Sequence, residues 1–122
     1  MNIYFAVILM GQLLISTAFG QHVPWMSLPT VPEKISYILN HRIDFKRDST
    51  RMIHQATHIR DYAIQFQDQQ MLAVHHLYLA LGYADFYEEV NTRTDFHFKQ
   101  ALLLAKEQSD SNLEISILAF QG

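Results

Sequence analysis

Residues 71–87 constrain the fold more than any other part of the chain. Leu72, Ala73, Val74, Leu77, Leu79, Ala80, Leu81 and Ala84 fill this stretch and leave almost no polar face. A helix that is apolar nearly all round has to be covered on both sides. The run from Leu77 to Ala84 cannot span a bilayer, because His76 and Asp85 close it after about two helical turns. The spacing therefore predicts a central helix over 71–87, started by Asp68 as its cap, with other helices packed around it.

The flanking segments supply those helices. Thr30-Val31-Pro32-Glu33 reads as a capping box with Pro in the first turn, where a missing N–H costs nothing. Ile35, Ile38, Leu39 and Ile43 then recur at helical spacing, which predicts a first helix over about 31–44. Asp48-Ser49-Thr50 offers the next cap. Met52, Ala56, Ile59, Ala63 and Phe66 follow at steps of four and three, a narrow apolar seam, with Arg51, Gln55, His58, Arg60 and Gln65 off it. Residues 91–95 break the pattern and cap a fourth helix carrying Phe98, Ala101, Leu102 and Ala105. Lys106 stands in its last turn, where the helix dipole favours a cation. Ser111-Asn112-Leu113-Glu114 reads as a second capping box, opening a fifth helix with Ile115, Leu118 and Ala119. Nothing after residue 20 alternates at period two, and no Asn-Gly or Asp-Gly hairpin signal occurs, so the expected class is all-α.

Composition narrows the function classes. At 122 residues the chain has room for one small domain. It is 49% hydrophobic and 17% charged, which argues against disorder over most of its length. It has no cysteine, hence no disulfide framework, thiolate zinc site or cysteine nucleophile. Nine Lys and Arg against twelve Asp and Glu, with no basic run, argue against a nucleic-acid surface.

The first 20 residues carry no charged side chain. Ile3 to Met10 is an unbroken apolar run, and Ala18 and Gly20 stand where a secretory cleavage site needs small residues. The reading is a signal peptide over 1–20 cut after Gly20, delivering the chain to the periplasm or outside the cell. The alternatives are an uncleaved membrane anchor and a buried helix. Residues 21–30 read as a linker, with Trp25 either tucked on the domain or exposed, and residues 31–122 as the helical domain.

Two stretches repeat at an offset of 42: Ala63, Asp68 and Met71 correspond to Ala105, Asp110 and Leu113. A period near 40 in an all-helical chain suggests stacked helical hairpins. The stretch Tyr78-Leu79-Ala80-Leu81-Gly82 through Phe98-Lys99-Gln100-Ala101-Leu102 resembles the tetratricopeptide repeat family. Tyr78, Leu81, Gly82, Phe86, Phe98, Ala101 and Leu102 stand at that family's signature spacings. The resemblance implies that Gly82 is a point of close helix approach. The period exceeds the family's roughly 34 residues and is similar to longer repeats in exported sensor regions of bacterial signalling proteins. About two and a half hairpins are expected.

No constellation points to a reaction. His54 and His58, four apart, share a helix face but lack the Glu of a zinc-protease motif and a third ligand. His75 and His76 are adjacent and point about 100° apart. Glu88 and Glu89 read as a solvated turn. No Gly-rich phosphate loop or nucleophile elbow occurs. Tyr83, Phe86, Tyr87, Phe96 and Phe98 form a dense aromatic cluster, read either as core or as part of a concave peptide-binding face.

The expected function is accordingly a non-catalytic exported module that binds a protein or peptide, with no catalytic residue, metal or cofactor. Its contact with membranes is confined to the export signal. The alternative is the N-terminal fragment of a longer sensor histidine kinase or other signalling protein. A third reading is self-association through the C-terminal helix.

Overall fold

The computed structural model describes residues 23–87 and 92–121. The export signal expected at 1–20, with Ala18 and Gly20, and the Glu88–Glu89 pair lie outside the described residues. Among those described there are five α-helices and no strand. They are α1 (Val31–Asn40), α2 (Ser49–Phe66), α3 (Gln69–Tyr87), α4 (Thr92–Glu107) and α5 (Ser111–Gln121). Short 3-10 turns occupy Pro24–Ser27 and Arg42–Phe45. The chain is all-α and built of helical hairpins. No helix among the described residues is long and apolar enough to cross a membrane.

α3 is the axis, as its composition requires. α2 packs on one side, α4 on the other, and α1 lies against it as well. Met71, Ala73, Val74, Leu77 and Ala80 are wholly buried. Tyr78 is buried too, and its hydroxyl donates to the Ile38 carbonyl of α1. Gly82 marks the close crossing of α2 and α3. A Cβ there would sit 2.8 Å from Ile53 Cγ1, so any larger residue forces the Ile53 side chain to shift.

The N-terminal caps explain where the helices begin. Thr30 Oγ1 accepts the Glu33 N–H at 3.3 Å, and its hydroxyl donates to Glu33 Oε1 at 3.1 Å. Asp48 Oδ1 accepts from the Arg51 N–H at 3.1 Å, and Asp68 Oδ1 from the Met71 N–H at 2.9 Å. The last cap differs from expectation: Asp110, not Ser111, accepts the Leu113 N–H at 3.1 Å. Ser111 is then the first helical residue, which leaves Glu114 one position too far along for a capping box.

The 42-residue repeat is a repeated turn. At Gln67 the backbone enters the left-handed region with φ of 51°, and at Ser109 with φ of 54°. In each case the following Asp N–H bonds back five residues, Asp68 to the Ala63 carbonyl and Asp110 to the Ala105 carbonyl. This is the Schellman closure of a helix. The same Asp then caps the next helix, so one residue ends one helix and starts another. A third left-handed residue, Arg47 with φ of 66°, also precedes a capping Asp, Asp48.

Two further differences concern ends and faces. The first helix stops at Asn40 rather than 44. His41 Nδ1 lies 2.8 Å from the Tyr37 carbonyl, and Arg42 Nη1 donates to the Leu39 carbonyl at 2.6 Å. These side chains take carbonyls of the last turn, and the chain tightens into the 3-10 turn. Ile43 is thereby left 67% exposed, while Phe45 turns inward to the Tyr78 ring, centroids 6.4 Å apart. Phe66, expected on the α2 seam, is 56% exposed against Tyr62. The Gln67 turn carries the chain back beside Ala63, which stays buried, and leaves Phe66 at the exposed end of α2.

The segment before α1 is tied down. Trp25 is buried and meets Tyr62 edge-to-face at 5.6 Å. Lys34, also buried, donates to the Leu28 carbonyl and lies over the Tyr62 ring. Buried aromatic pairs of this geometry are worth about 0.5–1.5 kcal/mol beyond their area.

Candidate functional site

α5 packs chiefly against α4, and α1 against α3. The two outer helices therefore stand apart, and a groove of about 800 Å³ opens between them. Ile35 and Leu39 of α1 form one wall, and Leu113, Ser116 and Phe120 of α5 the other. The floor is a hydrogen bond between the two repeated turns, Gln70 Nε2 donating to Asp110 Oδ2 at 3.0 Å. At one end Arg42 lays its guanidinium 4.2 Å from the centroid of the Phe120 ring. Contributions thus come from alternate helices α1, α3 and α5. The lining is apolar along its walls, with neutral hydroxyl and amide side chains at its rim. A second, smaller cavity of about 240 Å³ lies under the Pro24–Ser27 turn against Tyr37, Ile59 and Tyr78.

The histidines form a separate group on the far side of α3. His75 Nδ1 lies 2.7 Å from the Ala56 carbonyl of α2. His76 points the other way, its Nδ1 lying 2.9 Å from His97 Nδ1 of α4. One imidazole of that pair donates and the other accepts. The divergence expected of adjacent helical residues thus ties each ring to a different neighbour, although the rings themselves lie 5.0 Å apart. Tyr83 stacks on His97 at 5.7 Å. Burial, followed by the charge of His75 and His97, lowers His76 to about 4. Burial is also the main cause that lowers His75 and His97.

His54 and His58 meet edge-to-face at 4.9 Å. Burial, then His54, lowers His58. Among the described residues no three His, Asp or Glu side chains converge as metal ligands.

The signature residues are spread through the stack rather than gathered at the groove. Tyr78, Phe98 and Ala101 are core, Leu81 and Leu102 are half-buried, and Gly82 is buried at the α2 crossing. Phe86 lies in α3, its side chain outside the described residues, as is that of Tyr87. The aromatic cluster does not line the groove: Phe98 is buried, Phe96 is 52% exposed and Tyr83 serves the histidine group. On α5 the buried residues are Leu113 and Ile117, whereas Ile115 is 64% and Leu118 48% exposed. The groove residues escaped sequence reasoning because its walls join Leu39 to Phe120. The Asp68 and Asp110 repeat was the one available pointer to its floor.

Comparison with protein-family models, with curated proteins and with solved structures finds no match to this chain.

Proposed function

We propose that the chain is a non-catalytic binding module of the tetratricopeptide type that takes a peptide segment of a protein partner into the groove between α1 and α5. One observation carries this reading: an open groove of about 800 Å³ lined by three alternate helices, apolar along its walls and hydrogen-bonding at its rim. Stacked hairpins present binding surfaces of this kind. Apolar anchors with a few placed polar groups suit an extended or helical peptide. The close approach at Gly82 and the repeated Asp turns support the family reading. Export to the periplasm or beyond, with a sensory role, is the setting we infer from the apolar first 20 residues.

The test is selection of peptides from a random displayed library against the full chain. Selected peptides are expected to lose at least about tenfold in affinity for Ser36→Arg and Ser116→Arg, which fill the groove from opposite walls. Both positions are at or near the surface, so folding is expected to be unchanged. Failure to select any peptide, or undiminished binding by both variants, contradicts the reading.

A second reading has its own observation, the exposed Ile115 and Leu118 on α5. A further helical hairpin would cover them if the chain were the N-terminal part of a longer signalling protein such as a sensor histidine kinase. Reading the gene beyond codon 122 tests it. An open frame running into another helix supports it, and a stop codon at that place contradicts it.

A further inference from the structure

The three histidines around α3 occupy a structural position that the binding reading does not use. His75, His76 and His97 lie at the contact between α3 and α4, and α4 is the helix on which α5 chiefly packs. His76 and His97 share one hydrogen bond at 2.9 Å between Nδ1 atoms. That bond requires one nitrogen with a free lone pair. A proton on each ring at this nitrogen removes the acceptor and places two cations in contact. Both rings are half-buried and lie between aromatic neighbours. His97 is flanked by Phe96 at 5.1 Å and Tyr83 at 5.7 Å, and His76 by His75.

We propose that the α3–α4 contact is an acid-sensitive joint, closed by the neutral His76–His97 pair and opened when both imidazoles take up a proton. The groups facing this pair are mostly cationic or neutral. From α3 come His75 and Tyr83, and from α4 Arg93, whose guanidinium lies over the Tyr83 ring. From α2, Arg60 and Asp61 act on His75 with opposite signs. Among these described groups only Asp61 is an anion, and it also bonds Arg60. A second imidazolium therefore gains little compensation within the joint. The lowered titration of all three histidines fits this arrangement.

The consequence is directional. α5 packs chiefly on α4, so opening carries α5 away from α1 and parts Gln70 from Asp110 and Arg42 from the Phe120 ring. Acid thus widens the groove.

The protein has no cysteine, so the test uses paired spin labels on Ser36→Cys of α1 and Ser116→Cys of α5 in the full chain. The distance between labels is expected to lengthen as pH falls from about 6.5 toward 4, the interval between the ordinary imidazole value and that of His76 in the closed joint. The same labels in His76→Asn/His97→Asn, whose amides can bond but cannot charge there, are expected to show no shift. A distance unchanged in both proteins, or an equal lengthening in both, overturns the proposal. A second measurement covers the case in which the double variant does not fold: proton resonances of the His76 and His97 rings in the labelled chain. Protonation coincident with the lengthening supports the joint. Protonation without lengthening, or lengthening while both rings stay neutral, overturns it.

Discussion

α3 and α5 are both rich in apolar residues, yet they end in opposite circumstances. α3 has α2, α4 and α1 around it and exposes almost nothing of its middle. α5 packs chiefly on α4, buries Leu113 and Ile117, and leaves Ile115 and Leu118 to water. An apolar helix states a demand for cover, and its place in the stack decides how much of that demand is met. The difference also creates the groove, since α5 and α1 both stop short of each other.

Substitutions that separate the two helices give the largest effects. Leu77→Ala in α3 empties a fully buried site and is expected to cost about 2–5 kcal/mol in urea unfolding. If it costs less than the equivalent Ile117→Ala in α5, α3 is not the axis. Gly82→Val comes next. Its added atoms meet Ile53 at the α2 crossing, and the expected loss is about 1–3 kcal/mol. Ile53→Ala made with it is expected to recover part of that loss, and a coupling of zero would show that α2 and α3 do not meet there.

Acid is expected to weaken the α3 side first. His76 titrates at about 4 when folded, below its ordinary value of 6.5. The folded protein then binds fewer protons than the unfolded one. Its contribution is fully present above about pH 6.5 and is lost as pH falls toward 4. The loss is about 1–2 kcal/mol after discounting for a half-buried ring. Urea unfolding at several pH values checks this, and stability that rises on acidification over that interval would reverse the sign.

The two repeated turns sharpen the comparison further. Asp68→Ala and Asp110→Ala each remove a helix cap worth about 1 kcal/mol. Asp110→Ala is expected to cost slightly more, because Gln70 also loses its acceptor. The smallest effect belongs to the open face of α5: Ile115→Ser is expected to change stability by no more than about 0.5 kcal/mol. A larger loss would mean that this face is covered in solution.

What was legible in the sequence depended on distance along it. The all-round apolar run at 71–87 announced a central helix, and Asp68 announced its start. The pairing of Ala63 and Asp68 with Ala105 and Asp110 was readable as a repeat, and its physical content was a Schellman turn that needs a left-handed residue before each Asp. Gln67 and Ser109 fill that place without being glycine, so the usual signal was missing. The early end of α1 was hidden because it depends on His41 and Arg42 capturing carbonyls. The sequence placed Ile115 and Leu118 in the fifth helix but did not show which of its apolar residues meet α4, and these are Leu113 and Ile117. The groove walls and the His76–His97 bond join residues far apart in the chain, which local spacing cannot bring together.

Native-state hydrogen exchange on the full chain tests the central claim most directly, that the fold hangs on α3 with α5 attached chiefly through α4. The account predicts that amides in the middle of α3 exchange only by global unfolding, while those of α5 open locally and exchange at least about tenfold faster. Equal protection of α3 and α5 would contradict it.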